Sequence, residues 1–161
     1  MAAKILAILL MLLPCNLLAG EQDPEYCDSV LSCVTANVNS GKLKTFFGSI
    51  ASPRCNNNAE FQELSNEQLF RLIASNPALF FSTLFSMSQE IVVAVKQEID
   101  HPIHEGIPVT KIYDLVKKTK MPSKLKKKAI QLMDYTYRQQ IEMIRIYEEQ
   151  NKRKWEYPRW H

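Results

Sequence analysis

The sequence predicts an all-α protein: a single compact bundle of four to six helices that follows a cleaved signal peptide. Apolar residues recur at spacings of three and four, the helical period, along most of the chain. Prolines stand at expected helix starts, and the 4 glycines are too few for the turns of a many-stranded sandwich. The length of 161 residues suits one domain. We expect a signal peptide at 1–20, a helical domain at 21–151 and a basic, aromatic tail at 152–161.

The N-terminal segment has the features of a secretory signal peptide. One positive charge, Lys4, precedes an unbroken apolar run over Ile5–Leu13, and small residues follow at Ala19 and Gly20. The apolar run is too short to anchor the chain in a bilayer. We therefore expect cleavage near Ala19–Gly20 and a secreted or periplasmic protein.

The sequence before residue 51 predicts one helix and is compatible with a second. Asp23 followed by Pro24 combines an N-cap residue with a proline in the first helical position, which predicts a helix over about 24–38. Gly41 lies just past its end. The polar stretch that follows is compatible with a short helix over Leu43–Ile50.

A capping box predicts where the next helix begins. Ser65 and Gln68 have the spacing of a capping box. In this motif the serine caps the helix, and the glutamine side chain accepts a hydrogen bond from the backbone N–H of the serine. The resulting helix is expected over about 66–75, and its apolar side chains form one inward face: Leu69, Phe70, Leu72 and Ile73.

The most apolar segment is expected to form a central helix over about 77–99. Asn76 and Pro77 repeat the N-cap and proline pattern at its start. Because apolar residues lie on nearly every face, the helix should be surrounded by others. A membrane-inserted alternative would have to bury its serines, glutamine and glutamate in lipid, which is costly.

Two further helices complete the expected bundle. The fourth covers about 109–120, and Pro122 introduces a long fifth helix over about 123–153. The inner stripe of the fifth helix holds one face for more than five turns: Leu125, Ala129, Leu132, Met133, Thr136, Gln140, Met143, Ile144 and Tyr147.

Three cysteines remain after the signal peptide, which predicts one disulfide and one free thiol in an oxidising compartment. Cys27 and Cys33 on one helix are separated by about 9 Å of rise, beyond disulfide reach. Cys55 is therefore the common partner. Cys27 lies in the middle of an apolar stripe and Cys33 nearer its edge, so we expect the pair Cys33–Cys55, with Cys27–Cys55 as the alternative.

Charge is divided unevenly along the chain. Residues 21–110 carry 5 basic and 11 acidic residues, whereas 111–161 carry 14 basic and 6 acidic ones. The segment from Lys111 to Lys128 contains eight lysines and only one acidic residue, Asp114. The candidate binding lysines are Lys117, Lys118, Lys120, Lys124, Lys126, Lys127 and Lys128. They could attract an anionic partner, or form a solvated face balanced by the acidic N-terminal half.

The C-terminal tail combines cations with three aromatic residues, Trp155, Tyr157 and Trp160. Aromatic side chains are good anchors in protein interfaces and at membrane surfaces. The alternative is a tail that folds back over an exposed seam of the bundle.

Residues that could support catalysis or hold a metal are few. The residues closest to a zinc site are His101, His104 and Glu105. They lie in a loop bounded by prolines, and they lack the His-Glu-x-x-His order that metalloproteases carry on a helix. No nucleophile elbow and no glycine-rich phosphate loop is present in the sequence. We therefore expect no cofactor and ordinary polar roles for this loop.

The leading hypothesis is an exported, non-enzymatic helical binding protein that captures an acidic protein, as an inhibitor, an immunity-type protein or a chaperone would. The lysine-rich segment and the aromatic tail together would form its binding surface. One alternative is peripheral binding to an anionic membrane surface, and a less favoured one is a small metal-dependent hydrolase. A nucleic-acid partner is not expected.

Overall fold

The computed structural model describes residues 24–35, 38–56, 58–104 and 106–157, and these residues contain eight helices and no strand. The predicted all-α bundle is confirmed. Helices exceed the expected number because the central segment is broken and a short helix was not foreseen. The helices are α1 Pro24–Thr35, α2 Ser40–Ile50, α3 Pro53–Asn56, α4 Ala59–Ser75, α5 Pro77–Leu84, α6 Gln89–Asp100, α7 Val109–Lys118 and α8 Ser123–Asn151.

The expected signal peptide at 1–20 and its cleavage position lie outside the described residues. Within the described part of the chain, no helix combines the length and the apolarity needed to cross a membrane.

Asparagine side chains start three of the helices. The Oδ1 atoms of Asn39, Asn58 and Asn76 each accept a hydrogen bond of 3.0 Å from a backbone N–H three residues on, at α2, α4 and α5. Such bonds satisfy amides that a helix leaves unpaired in its first turn. The predicted start at Asn76–Pro77 is confirmed, and Asn58 is a cap that the sequence analysis missed.

The predicted capping box at Ser65 and Gln68 is wrong. Helix α4 already begins at Ala59, and Ser65 is buried within it. Its hydroxyl donates to the carbonyl of Gln62 rather than capping a helix start. The earlier start is favoured because it adds the fully buried Phe61 to the apolar face of the helix.

The central segment is broken into α5 and α6 at residues 85–88. Ser88, at the N-cap position of α6, has an extended backbone, and its side chain makes no capping hydrogen bond. Both parts still pack against α2, α4 and α8, so the segment is central, as expected. The two parts differ in burial: α5 is largely buried, whereas α6 buries Val95 and Ile99 and leaves Val93 exposed.

Phenylalanines fill the core between α2, α4 and α5. The ring of Phe80 contacts Phe47 and Phe81 edge-on, with centroid separations of 5.0 and 5.1 Å. Edge-to-face contacts of this kind add to the stabilisation that burial provides. The fully buried aromatic side chains are Phe46, Phe47, Phe61, Phe70, Phe80 and Phe81.

The disulfide joins Cys27 to Cys55, so the favoured pair Cys33–Cys55 is wrong and the alternative is confirmed. Cys27 shares with Val30 and Val34 the face of α1 that packs into the core. Cys55 on α3 is buried beneath that same face, which brings the two Cα atoms to 5.9 Å. Cys33 is on the exposed side of α1 and its thiol is free. The bridge therefore fastens α1 to α3 inside the core.

Candidate functional site

The lysine-rich segment forms the tip of a helical hairpin made by α7 and α8. Ring stacking between Tyr113 and Tyr137, with centroids 4.1 Å apart, holds the two helices together. The Tyr113 hydroxyl donates to Asp134 at 3.3 Å, and burial and this carboxylate raise the pKa of Tyr113. We call residues 117–128, which include the end of α7, the connection and the first turns of α8, the lysine-rich turn.

Six of the seven candidate lysines are exposed, and the seventh has a structural role. The Nζ atom of Lys126 donates to the carbonyl of Lys117 at 3.1 Å, at the C-terminal end of α7. A cation is favourable there because helix carbonyls are unpaired and the helix dipole is negative. The exposed lysines are Lys117, Lys118, Lys120, Lys124, Lys127 and Lys128.

Only one acidic side chain pairs with the lysine-rich turn within the described residues. Lys117 lies 3.7 Å from Asp114 and over the ring of Tyr113. The ion pairs of the N-terminal half stay within that half: Arg71 with Glu67 and Lys96 with Asp100. The Nε2 atom of His104 lies 3.3 Å from Glu63, which also belongs to that half. No ion pair among the described residues therefore joins the turn to the acidic half of the chain.

The tail packs against the bundle rather than beside the lysine-rich turn. The ring of Trp155 contacts Tyr147 edge-on at 4.8 Å, and its backbone N–H donates to the Glu148 carboxylate at 2.9 Å. The Tyr157 hydroxyl lies 2.6 Å from the Thr110 hydroxyl. These contacts correspond to the fold-back arrangement. Trp160 lies outside the described residues.

Tyr157 connects the tail to α7 and α8 through a buried amide. Its hydroxyl donates to Oε1 of Gln140 at 2.8 Å, and burial raises the pKa of Tyr157. Gln140 lies 16 residues beyond Lys124 on α8, or about 24 Å along the helix axis. The packed aromatic residues therefore lie well away from the start of α8 along its axis.

Buried polar side chains hold the loop between α6 and α7. The Thr136 hydroxyl donates to the carbonyl of Ile99, and Nε2 of Gln140 donates to that of Ile107. Oε1 of Gln140 also accepts from the Thr110 backbone amide at 2.9 Å, at the start of α7. Thr136 and Gln140 were expected on the inner face of the long helix, and both are buried.

Asn66 holds the same loop from α4 and was missed in the sequence analysis. Its Nδ2 atom donates to the carbonyls of Glu98 and His101, at 2.8 and 3.2 Å, and its Oδ1 accepts from Ile103 N–H. The available signal was its spacing: Asn66 precedes Leu69 and other inward residues by three and four positions, which places it on the buried face.

The loop histidines have separate partners. Nδ1 of His101 lies 2.9 Å from the Gln97 carbonyl, and Nε2 of His104 lies 3.3 Å from Glu63 Oε1. Glu105, the third candidate ligand, lies outside the described residues. Among the residues that are described, no group of three or more histidine, cysteine or acidic side chains could hold a metal ion.

Comparisons with protein-family models, curated proteins and solved structures found no match to this chain. The function is therefore inferred from the residues and their arrangement. The described part of the tail packs on the bundle, and the two loop histidines have protein partners. The lysine-rich turn is different, because all its charged residues are lysines and six of these seven are exposed.

Proposed function

We propose that this chain is an exported, non-enzymatic binding protein whose lysine-rich turn captures an acidic protein. Binding would block the partner sterically, as an inhibitor or immunity-type protein does, or hold it as a chaperone does. The observation that carries the proposal is the group of exposed lysines with one acidic partner, Asp114, among the described residues. The disulfide between Cys27 and Cys55 is compatible with an oxidising compartment outside the cytosol.

Local helix stability explains only some of these lysines. Lys117 and Lys118 lie in the last turn of α7, and Lys126 reaches the same end, where cations are favoured. Lys124 lies in the first turn of α8, which carries no acidic residue, and a cation there is disfavoured by up to about 1 kcal/mol. The start of α8 also lacks a side-chain cap. A carboxylate-rich partner would offset both unfavourable features.

Electrostatic capture also fits the chemistry of lysine. Ammonium groups act as mobile point charges, so they attract an acidic surface at long range without requiring one fixed bidentate geometry. Such a surface mainly accelerates association, and its effect weakens as salt shortens the screening length. We therefore expect capture that is fast at low ionic strength and reduced at high ionic strength.

Charge reversal tests this proposal. In the triple variant Lys118→Glu, Lys124→Glu and Lys127→Glu, we expect capture of the acidic partner to fall by roughly ten-fold or more. Each exposed charge pair is worth about 0.2–1 kcal/mol, and reversal replaces attraction by repulsion. The measurement is a quantitative pull-down from the native exported fraction, with wild-type and variant proteins as bait.

The matched control reverses three exposed lysines elsewhere, Lys44, Lys152 and Lys154, and so has the same net charge. Capture by the control should remain close to wild type. Equal capture by all three baits would contradict the proposal, and equal loss in both variants would show that only net charge matters.

The second candidate, binding to an anionic membrane surface, is favoured by apolar residues beside the lysines. Leu115 is 40% exposed, and Met121 and Leu125 are partly exposed. Lysines near an anionic surface contribute about 1 kcal/mol each. Flotation with phosphatidylserine-containing vesicles separates the two candidates: flotation that the turn variant loses, without protein capture, would favour the membrane.

A further inference from the structure

A small groove opens beside the lysine-rich turn, between the α5–α6 corner and the start of α8. Its volume is about 260 Å³, and its lining residues are Phe85, Pro122, Lys124, Leu125 and Lys128. Phe85 is held in place because its ring stacks on Phe81, with centroids 6.1 Å apart. The groove therefore has a fixed apolar floor and two lysines as its only charged lining residues.

The two lysines are placed to act together. Lys124 and Lys128 are four residues apart on α8, which puts their side chains on one face of the helix and makes their like charges repel. The Nζ atom of Lys128 also lies 5.4 Å from the centroid of the Phe85 ring, a cation–π contact. No acidic side chain among the described residues forms an ion pair with either lysine. A carboxylate between them would relieve the repulsion.

We infer that this groove receives an apolar side chain of the acidic partner, flanked in the partner's sequence by carboxylates that pair with Lys124 and Lys128. The inference rests on the proposed function and specifies the partner's chemistry: an acidic segment with one leucine, isoleucine, methionine or phenylalanine anchor. The apolar floor requires the anchor, and the lysines require the carboxylates.

The size of the groove and the nature of its cations favour this occupant. A volume of about 260 Å³ lies below the range of roughly 300–1,000 Å³ typical of small-molecule sites, so it suits one side chain better than a whole ligand. Lysines without arginine provide charge but no bidentate phosphate recognition.

The test uses two synthetic peptides of equal negative charge, one with a central leucine flanked by glutamates and one with serine in place of that leucine. Binding to the disulfide-bonded protein is measured by fluorescence anisotropy. We expect the leucine peptide to bind roughly ten-fold more tightly, because burial of a leucine side chain contributes about 1.5–3 kcal/mol when complete.

Two double variants locate the effect. Phe85→Ala with Leu125→Ala removes most of the apolar floor and keeps the charge, so it should abolish the preference for the leucine peptide. Lys124→Gln with Lys128→Gln keeps the floor, so it should weaken both peptides and retain the preference. Equal affinity of wild type for both peptides overturns the groove but leaves charge-based capture intact. No saturable binding of either peptide to wild type overturns the groove and the proposed function together.

Discussion

Replacement of Cys55 by serine should lower the free energy of unfolding by about 3 kcal/mol, the typical contribution of a bridge that closes a loop of this size. The bond joins residues 28 positions apart, and both half-cystines are fully buried. The variant also leaves the Cys27 thiol unpaired inside the core. Urea unfolding followed by circular dichroism, under non-reducing conditions, measures the change.

Cys33→Ser is the matched control, because Cys33 is exposed and unbonded. Its free energy of unfolding should stay within about 0.5 kcal/mol of wild type, as for most surface substitutions. A large loss at Cys33 and a small one at Cys55 would mean that the pairing described here is incorrect.

Asn66→Leu should destabilise the protein by about 2–4 kcal/mol. The Asn66 amide is fully buried and bonds to the carbonyls of Glu98 and His101 and to the N–H of Ile103. Leucine has similar size but no polar atoms, so these three partly buried backbone groups lose their partner, at about 1–3 kcal/mol for each group that water does not reach. Urea unfolding gives the total, and hydrogen exchange at the Ile103 amide reports the local loss.

The control is Asn151→Leu, which removes an exposed amide bonded to the Tyr147 carbonyl. We expect less than about 0.5 kcal/mol, since water replaces the lost bond. Unchanged stability and unchanged Ile103 exchange in Asn66→Leu would show that the amide does not hold the loop.

Local patterns predicted most of the helices, because periodicity and capping act over a few residues. Asn76 with Pro77 marked a true helix start, and the inner stripe of the long helix placed Thr136 and Gln140 correctly inside. The start at Asn58 was missed because Ser65 and Gln68 offered a better local capping pattern. Burial of Phe61 overrides that pattern, and burial depends on the assembled core.

Features set by distant contacts were not available from the sequence. The disulfide forms because α3 packs under α1. Cys27 lies in the middle of the buried apolar stripe of α1, and this position brings its sulfur to Cys55 instead of keeping it from the bond. The tail is placed by Tyr157 and Thr110, which are 47 residues apart. The lysine-rich turn was evident from composition. The groove beside it was not, because its floor includes Phe85, which comes from a different part of the chain.

The central claim is that the lysine-rich turn is the surface that binds an acidic protein segment. Amide chemical-shift mapping of the labelled protein, titrated with the glutamate-flanked leucine peptide, tests it most directly. The account predicts saturable shifts concentrated in residues 117–128 and at Phe85, with an affinity that falls as salt is added. Shifts confined to the loop over 101–108, or the absence of shifts in the turn at saturating peptide, would contradict it.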